Sequence, residues 1–171
     1  MAILGNNYWA RGHIEPWWSL RHRSLPYKNE PFNDPETESR WRELGYTQTR
    51  FTGDMYDMRN PEPSWLQPFR AQFKFNHFSW SFYRMGPGTI IPEHSDTYSK
   101  FKEIYNLGAN QHIARAVVFL EDWASGHYLE LSGEPIVKWR AGDWVCWEND
   151  LVHTAANIGT TDRYTLQITG I

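Results

Sequence analysis

The pattern of hydrophobic and polar positions changes near the middle of the chain. From Phe78 onward, short runs rich in β-branched and aromatic residues are separated by Gly, Pro, Asn and Asp at regular intervals, which is typical of successive short strands. Eight strands are predicted there: Ser79–Met85, Ile90–His94, Ala114–Glu121, Tyr128–Leu131, Ile136–Trp139, Trp144–Trp147, Val152–Asn157 and Arg163–Thr169. Such a series favours a mainly β fold, a jelly roll or double-stranded β-helix of cupin-like shape. Between Tyr98 and Gln111 we expect a helical or looped insertion.

The last predicted strand has one apolar and one polar face. Alternate positions from Tyr164 to Ile168 are apolar, whereas those from Arg163 to Gln167 are polar. In an isolated strand the polar face would lie in solvent. In a barrel, a polar inner face suits a ligand cavity, and the apolar outer face would be covered by the first half of the chain. The tryptophans in and beside the strands, Trp147 among them, are predicted to fill the barrel.

The first half of the chain differs in composition. Seven of the ten prolines and five of the ten tryptophans lie before residue 76. We therefore predict a single domain in which residues 1–77 form an irregular wrapping segment and residues 78–171 form the jelly-roll core. One helix is predicted in that segment, with Asp34 as its cap and Gly45 at its end, and a second short helix is predicted over Ser64–Phe69.

Composition and charge restrict the possible partners. The chain has 171 residues and a net charge of −3 without a long basic run, so no nucleic-acid partner is predicted. A single cysteine, Cys146, excludes an internal disulfide and fits a reducing compartment, so a cytoplasmic location is expected. The first residues turn polar too early for a signal peptide, and no apolar run approaches the ~20 residues of a membrane span. The oligomeric state stays open.

A possible metal site is visible in three residues. His94 and Asp96 are two positions apart, so in extended backbone both side chains point to the same side. His153, on a later predicted strand, can supply a second imidazole. Two histidines and one carboxylate form the facial triad of non-haem Fe(II) oxygenases, which leaves coordination positions open. A structural zinc site would fill its four positions and favour sulfur ligands. The short His-x-Asp pair alone is not specific, because such pairs also occur on surfaces.

The context of these residues is more specific. His94-Ser-Asp96 is followed by the distal His153, and Arg163 comes ten positions after it. Together the four elements resemble the 2-oxoglutarate and Fe(II)-dependent dioxygenases, whose double-stranded β-helix carries the same series. The resemblance covers roughly residues 79–169.

Within that superfamily, the motifs are closest to the aspartyl/asparaginyl β-hydroxylase branch. The likeness rests on Pro87-Gly88-Thr89 before His94, with Pro92 one residue nearer the turn than the branch's spacing, and on Asn149-Asp150 before the distal histidine. That branch often lacks the carboxylate ligand, whereas this chain has Asp96. The metal site is therefore expected to be the ordinary triad, and the branch's substrate preference does not carry over with it.

The resemblance implies a reaction and a cosubstrate pocket. It implies Fe(II), 2-oxoglutarate and O2 in a hydroxylation of an amino-acid, peptidyl or small-metabolite carbon, with release of succinate and CO2. Arg163 would bind the distal carboxylate of 2-oxoglutarate, as a planar guanidinium does well, and Tyr83 would donate to the same group. Arg115 matches a second cosubstrate-binding arginine, with a surface salt bridge as the alternative. His127 would lie near cosubstrate or substrate, unless it is only a turn residue.

Two other functions stay open at this point. A jelly-roll binding module would recognise a sugar or peptide through aromatic side chains, but it leaves Arg163 without a role. A cupin metalloenzyme that does not use 2-oxoglutarate would need a further metal-binding histidine, for which His127 is the only candidate.

Overall fold

The computed structural model describes residues 9–47, 50–148 and 151–171. Its strands are β1 (Trp9–His13), β2 (Lys28–Asn29), β3 (Asp54–Asp57), β4 (Phe78–Met85), β5 (Ile90–His94), β6 (Ala114–Phe119), β7 (His127–Leu131), β8 (Glu134–Ile136), β9 (Asp143–Glu148), β10 (His153–Asn157) and β11 (Arg163–Gly170). Its helices are α1 (Pro35–Glu43), α2 (Gln67–Phe73) and α3 (Ser99–Tyr105). The Asn149-Asp150 pair of the motif lies outside the described residues.

The strands form two antiparallel sheets. The larger has seven strands in the order β1-β9-β6-β11-β4-β3-β2, and the smaller has four in the order β5-β10-β7-β8. From β4 onward, consecutive strands alternate between the sheets in the jelly-roll manner, except that β7 and β8 form a hairpin. The predicted mainly β, double-stranded β-helix fold is confirmed.

Seven of the eight predicted strands lie within a few residues of β4 to β7 and β9 to β11. The prediction for Ile136–Trp139 is wrong by several residues, because β8 ends at Ile136. Ser132 and Gly133 both have positive φ, 51° and 82°, as in a two-residue hairpin turn, so β8 begins directly at Glu134. Lys138, with φ 58°, lies in the left-handed region, where extended backbone cannot continue.

Helix α1 begins and ends where the sequence predicts. The Asp34 carboxylate accepts a hydrogen bond from the Thr37 N–H at 3.1 Å, and Gly45 follows the helix with φ 99°. The second predicted helix is longer than expected, since a 3₁₀ turn over Ser64–Leu66 leads into α2. The insertion after Tyr98 contains α3. None of the helices in the described ranges is long and apolar enough to cross a membrane.

The first half of the chain is less irregular than its composition predicts. Strands β1, β2 and β3 extend the larger sheet at both edges, with β1 along β9 and β3 along β4. The sequence of β1, Trp-Ala-Arg-Gly-His, has no alternation of apolar and polar residues that would predict a strand. Its extended conformation depends instead on pairing with the neighbouring strand β9. This half also makes polar contacts with the barrel. His22 Nε2 and Arg23 Nε both lie within hydrogen-bonding distance of Glu121 Oε1, at 2.5 and 2.6 Å.

The apolar outer face of the larger sheet is covered by this first half. The shared core contains side chains from both parts: Ile14, Trp18, Tyr56, Leu66, Phe69 and Phe73 against Trp80, Phe82, Ala116, Val118, Leu166 and Ile168. The inner face of the same sheet contributes Tyr83, Val117 and Trp147 to a second core, inside the barrel. Arg163 and Thr165 also lie on that inner face and are buried. The two faces of β11 are therefore arranged as predicted.

Candidate metal centre and ligand pocket

The three predicted ligands lie together at one end of the smaller sheet. His94 ends β5 and stands opposite His153, the first residue of β10, in the strand register. Their ring centroids are 4.2 Å apart. Asp96 follows two residues after β5, and the candidate ligand atoms of all three side chains lie within 4.8 Å of one another. Within the described residues, this is the one cluster of its kind.

Both histidines are oriented by backbone carbonyls. The Nδ1 of His94 donates to the Pro92 carbonyl at 2.9 Å, and the Nδ1 of His153 donates to the Leu151 carbonyl at 3.0 Å. These bonds fix the tautomer that leaves Nε2 free to bind a metal. Burial lowers the pKa of both rings, that of His153 to about 4, so the imidazoles are neutral near pH 7, as metal ligands must be.

Asp96 supplies the negative charge of the cluster. Burial alone would raise the pKa of its carboxyl group, but Arg115, His153, His94 and the Tyr98 hydroxyl together outweigh burial and lower it. The Arg115 Nε lies 3.2 Å from Asp96 Oδ2, an ion pair inside the barrel. Oδ2 is buried and has no hydrogen-bond donor among the described residues. A buried carboxylate oxygen beside two free imidazole nitrogens fits a divalent cation.

Arg115 lies beside the metal cluster, on β6, two positions before Val117 of the inner core. Its Nη1 donates to the Gln167 side chain at 2.9 Å, and its guanidinium lies 5.0 Å from the Tyr98 ring centroid. Its carboxylate partner is the candidate ligand Asp96 rather than a surface group. The cosubstrate-binding role of Arg115 stays a prediction.

Two aromatic residues from the first half of the chain support His94. Trp41 of α1 donates from Nε1 to the Glu93 carbonyl at 3.1 Å, and its ring meets the His94 ring edge-on at 5.5 Å. Phe32 makes a similar edge-on contact at 5.7 Å. Sequence reasoning missed both, since the only available signal was the abundance of tryptophan in that half. The metal cluster is thus held by both halves of the chain.

Arg163 forms the other end of the pocket. It is 7% exposed, and its Nη1 donates to the Tyr128 carbonyl at 2.5 Å, whereas its buried Nε has no partner among the described residues. No carboxylate of those residues lies within ion-pair distance. Burial lowers the pKa of the guanidinium to about 10, so it remains charged near pH 7. Among the described residues, the barrel therefore holds a buried cation without a counter-ion.

Arg163 and the metal cluster lie beside different positions of the same strand, β10. Arg163 also approaches the Ala156 carbonyl, at 3.5 Å, and Ala156 is three residues along β10 from His153. At about 3.3 Å per residue, those two backbone positions are roughly 10 Å apart.

Tyr83 lies on the inner face of β4, within electrostatic reach of Arg163. Its hydroxyl accepts a hydrogen bond from the Gly53 N–H and lies 3.2 Å from the Thr52 hydroxyl. Burial raises the pKa of this phenol, so it keeps its proton near pH 7. Because one lone pair already accepts from Gly53, the phenolic proton can be given to Thr52 or to a ligand.

His127 begins β7 and is buried. Its Nε2 lies 3.0 Å from the Thr161 carbonyl, and it does not belong to the metal cluster. It lies on the Arg163 side of the barrel, where burial and then the positive charge of Arg163 lower the pKa of its ring. A role next to the cosubstrate stays a prediction, but its ring is engaged by the backbone.

Comparison with known proteins shows the fold. No protein-family model matches the sequence, and no curated protein sequence matches it. Among solved structures, a prolyl-4-hydroxylase from Pseudomonas putida is similar with a TM-score of 0.61 at 17% identity, covering 98% of this chain and 94% of that one. The viral collagen prolyl hydroxylase of Paramecium Bursaria Chlorella virus-1, solved as a 2-oxoglutarate (2OG) complex, gives a TM-score of 0.59 at 10% identity, with 99% of each chain covered.

At these identities the likeness concerns the fold alone. It spans nearly the whole chain, so the first half, with α1 and the edge strands, aligns along with the jelly roll. The resemblance to the aspartyl/asparaginyl β-hydroxylase branch stays a prediction. Fold and side chains together define a double-stranded β-helix that contains a His-Asp-His cluster and, further along β10, a buried arginine without a carboxylate partner in the described residues.

Proposed function

We propose that the protein is an Fe(II)- and 2-oxoglutarate-dependent oxygenase of the dioxygenase superfamily, acting in the cytoplasm. It would hydroxylate an amino-acid, peptidyl or small-metabolite carbon and release succinate and CO2. The observation that carries this proposal is Arg163, a buried cation with no counter-ion in the described part of the chain, in the same barrel as the two-histidine, one-carboxylate cluster. Iron bound by that cluster would supply the chemistry by which O2 oxidises both the oxo acid and the substrate.

The side chains have separate tasks in this proposal. His94, Asp96 and His153 would hold Fe(II), with the imidazoles presented through Nε2. Arg163 would bind the distal carboxylate of 2-oxoglutarate, and Tyr83 would donate its phenolic proton to the same group. The apolar residues around them keep water away and so strengthen these charged contacts.

The alternatives are less well supported. A binding module in which the metal residues are incidental gives no reason to bury the Arg163 charge without a carboxylate partner in the described residues, at an expected cost in stability. A cupin metalloenzyme without 2-oxoglutarate would use a further histidine, and the Nε2 of His127 is bonded to Thr161 instead.

Calorimetric titration of 2-oxoglutarate into Mn(II)-loaded protein tests the proposal, because Mn(II) replaces Fe(II) without oxidation. We expect one equivalent to bind, and to bind only when metal is present, since the keto acid must chelate it. The Asp96→Ala variant should lose most of this binding along with its metal. Equal binding with and without metal, or no binding at all, would contradict the proposal. A screen of amino acids, peptides and metabolites for succinate release would then identify the substrate.

A further inference from the structure

Trp147 has a buried polar atom with no partner. It lies on the inner face of β9, is 2% exposed, and its indole Nε1 makes no hydrogen bond with any residue of the described ranges. An indole N–H is a donor only, and in a buried position it usually finds an acceptor. A buried donor left unpaired costs free energy, so the Trp147 N–H is available to any ligand oxygen that reaches it.

The neighbours of this indole place it at the metal end of the pocket. Its ring centroid is 5.0 Å from that of His153. In the sheet register Trp147 stands opposite Arg115, whose Nε is paired with Asp96. Arg163 is anchored instead at the Tyr128 carbonyl, toward the far end of β10.

We propose that the Trp147 indole N–H binds the metal-chelating end of an oxo-acid ligand, by donating to one of its carboxylate oxygens. The inference rests on the proposed function. It follows from the chemistry around the cluster, where Trp147 and Arg115 are donors and the Asp96 carboxylate is assigned to the metal. A ligand that complements such a site is rich in acceptor oxygens. Trp147 is then a ligand-binding residue, in addition to the barrel-filling role that the sequence predicts.

The chain offers a matched control in Trp144. It lies three positions earlier on the same strand, and its Nε1 is also buried and without a partner in the described residues. It faces the opposite side of the sheet, where its ring packs against Phe73 at 5.5 Å. Trp147→Phe and Trp144→Phe therefore remove the same group from the two faces of one strand.

The first test is calorimetry on Mn(II)-loaded protein with two ligands. Oxalate has the chelating end of the oxo acid without a distal carboxylate, whereas 2-oxoglutarate has both. In Trp147→Phe both ligands should bind about tenfold more weakly, and Mn(II) alone should bind as in wild type. Trp144→Phe should bind both ligands normally. Arg163→Ala should lose affinity for 2-oxoglutarate but keep it for oxalate.

The second test needs no substitution at the site. In Zn(II)-loaded protein, the indole proton resonance of Trp147 should move downfield when oxalate or 2-oxoglutarate is added, and that of Trp144 should not. Unchanged affinity for both ligands in Trp147→Phe, an unchanged Trp147 resonance, or a loss of Mn(II) binding equal to the loss of ligand would overturn the inference alone. Wild-type protein that binds neither ligand would overturn the proposed function as well.

Discussion

Replacing Arg163 with methionine should change the stability of the ligand-free protein and its ligand affinity in opposite directions. Burial lowers the pKa of Arg163 from 12.5 to about 10. At ~1.4 kcal/mol per pKa unit, the buried charge costs the ligand-free fold about 3 kcal/mol. Methionine has a similar volume and no charge, but it leaves the Tyr128 carbonyl without its donor, which costs about 1–2 kcal/mol. The free energy of unfolding should therefore rise by about 1–2 kcal/mol.

The same substitution should weaken 2-oxoglutarate binding. The charged hydrogen bonds to its distal carboxylate are worth roughly 1.5–3 kcal/mol, so affinity should fall by about 10- to 150-fold. Arg163→Lys should give an intermediate loss, because it keeps the charge but not the two-pronged geometry. Metal affinity should stay at the wild-type value in both variants.

Urea denaturation with and without 2-oxoglutarate measures both effects in one experiment. The ligand should raise the unfolding midpoint of metal-loaded wild type and hardly that of Arg163→Met. A variant that is less stable than wild type without ligand would show that Arg163 is a structural residue. Unchanged 2-oxoglutarate binding would show that the distal carboxylate is held elsewhere.

Three further predictions concern the metal cluster and the first half of the chain. Asp96→Ala should weaken Fe(II) binding and abolish turnover, and Asp96→Glu should restore little, since metal distances tolerate only ~0.2 Å; anaerobic metal titration measures this. Glu121→Gln should lower the free energy of unfolding at pH 7 by about 1–2 kcal/mol. Burial would raise the pKa of Glu121, but its partners Arg23 and His22 outweigh burial and lower it from 4.5 to about 2. This contribution is present above pH 4.5 and disappears as the pH falls toward 2, so the two proteins should converge in acid denaturation. Gly53→Ala should lower the free energy of unfolding in urea by about 1–3 kcal/mol, because its Cβ would collide with the Arg84 carbonyl oxygen and lie 2.9 Å from the Tyr83 ring.

Each of these has its own contrary result. Unchanged iron affinity in Asp96→Ala would remove that residue from the site. If the stability difference between wild type and Glu121→Gln persisted to pH 2, the contact of Glu121 with its basic partners would not depend on charge. As a control, Glu103→Gln, which removes an exposed ion pair, should leave the stability unchanged at any pH. A Gly53→Ala protein as stable as wild type would mean that the segment beside Tyr83 can move away.

The strands of the barrel could be predicted from the sequence because their determinants are local. Alternation along β11 and turn residues between strands gave both the number of strands and the buried faces. The position of β8 was predicted wrongly because it depends on the hairpin turn at Ser132. A positive φ at a non-glycine residue such as Ser132 cannot be recognised from the sequence. Strands β1 and β3 could not be predicted because they form by pairing with β9 and β4, contacts that join distant parts of the chain.

The same division holds for the site. His94 and Asp96 could be found from their spacing, and His153 and Arg163 from a motif whose elements are close in the sequence. The supporting contacts could not, because Trp41 reaches His94 across 53 positions and no local pattern marks it. The pairing of Arg115 with Asp96 depends likewise on the way the two sheets pack.

The most direct test of the central claim is an anaerobic absorption spectrum. Fe(II) is added to the protein first and 2-oxoglutarate second. We predict a visible charge-transfer band that saturates at one equivalent of 2-oxoglutarate, because the keto acid chelates the iron at the His94, Asp96 and His153 cluster. Succinate, which lacks the keto group, should give no band, and neither should the Asp96→Ala protein. Iron and 2-oxoglutarate that both bind to wild type without producing the band would contradict the claim.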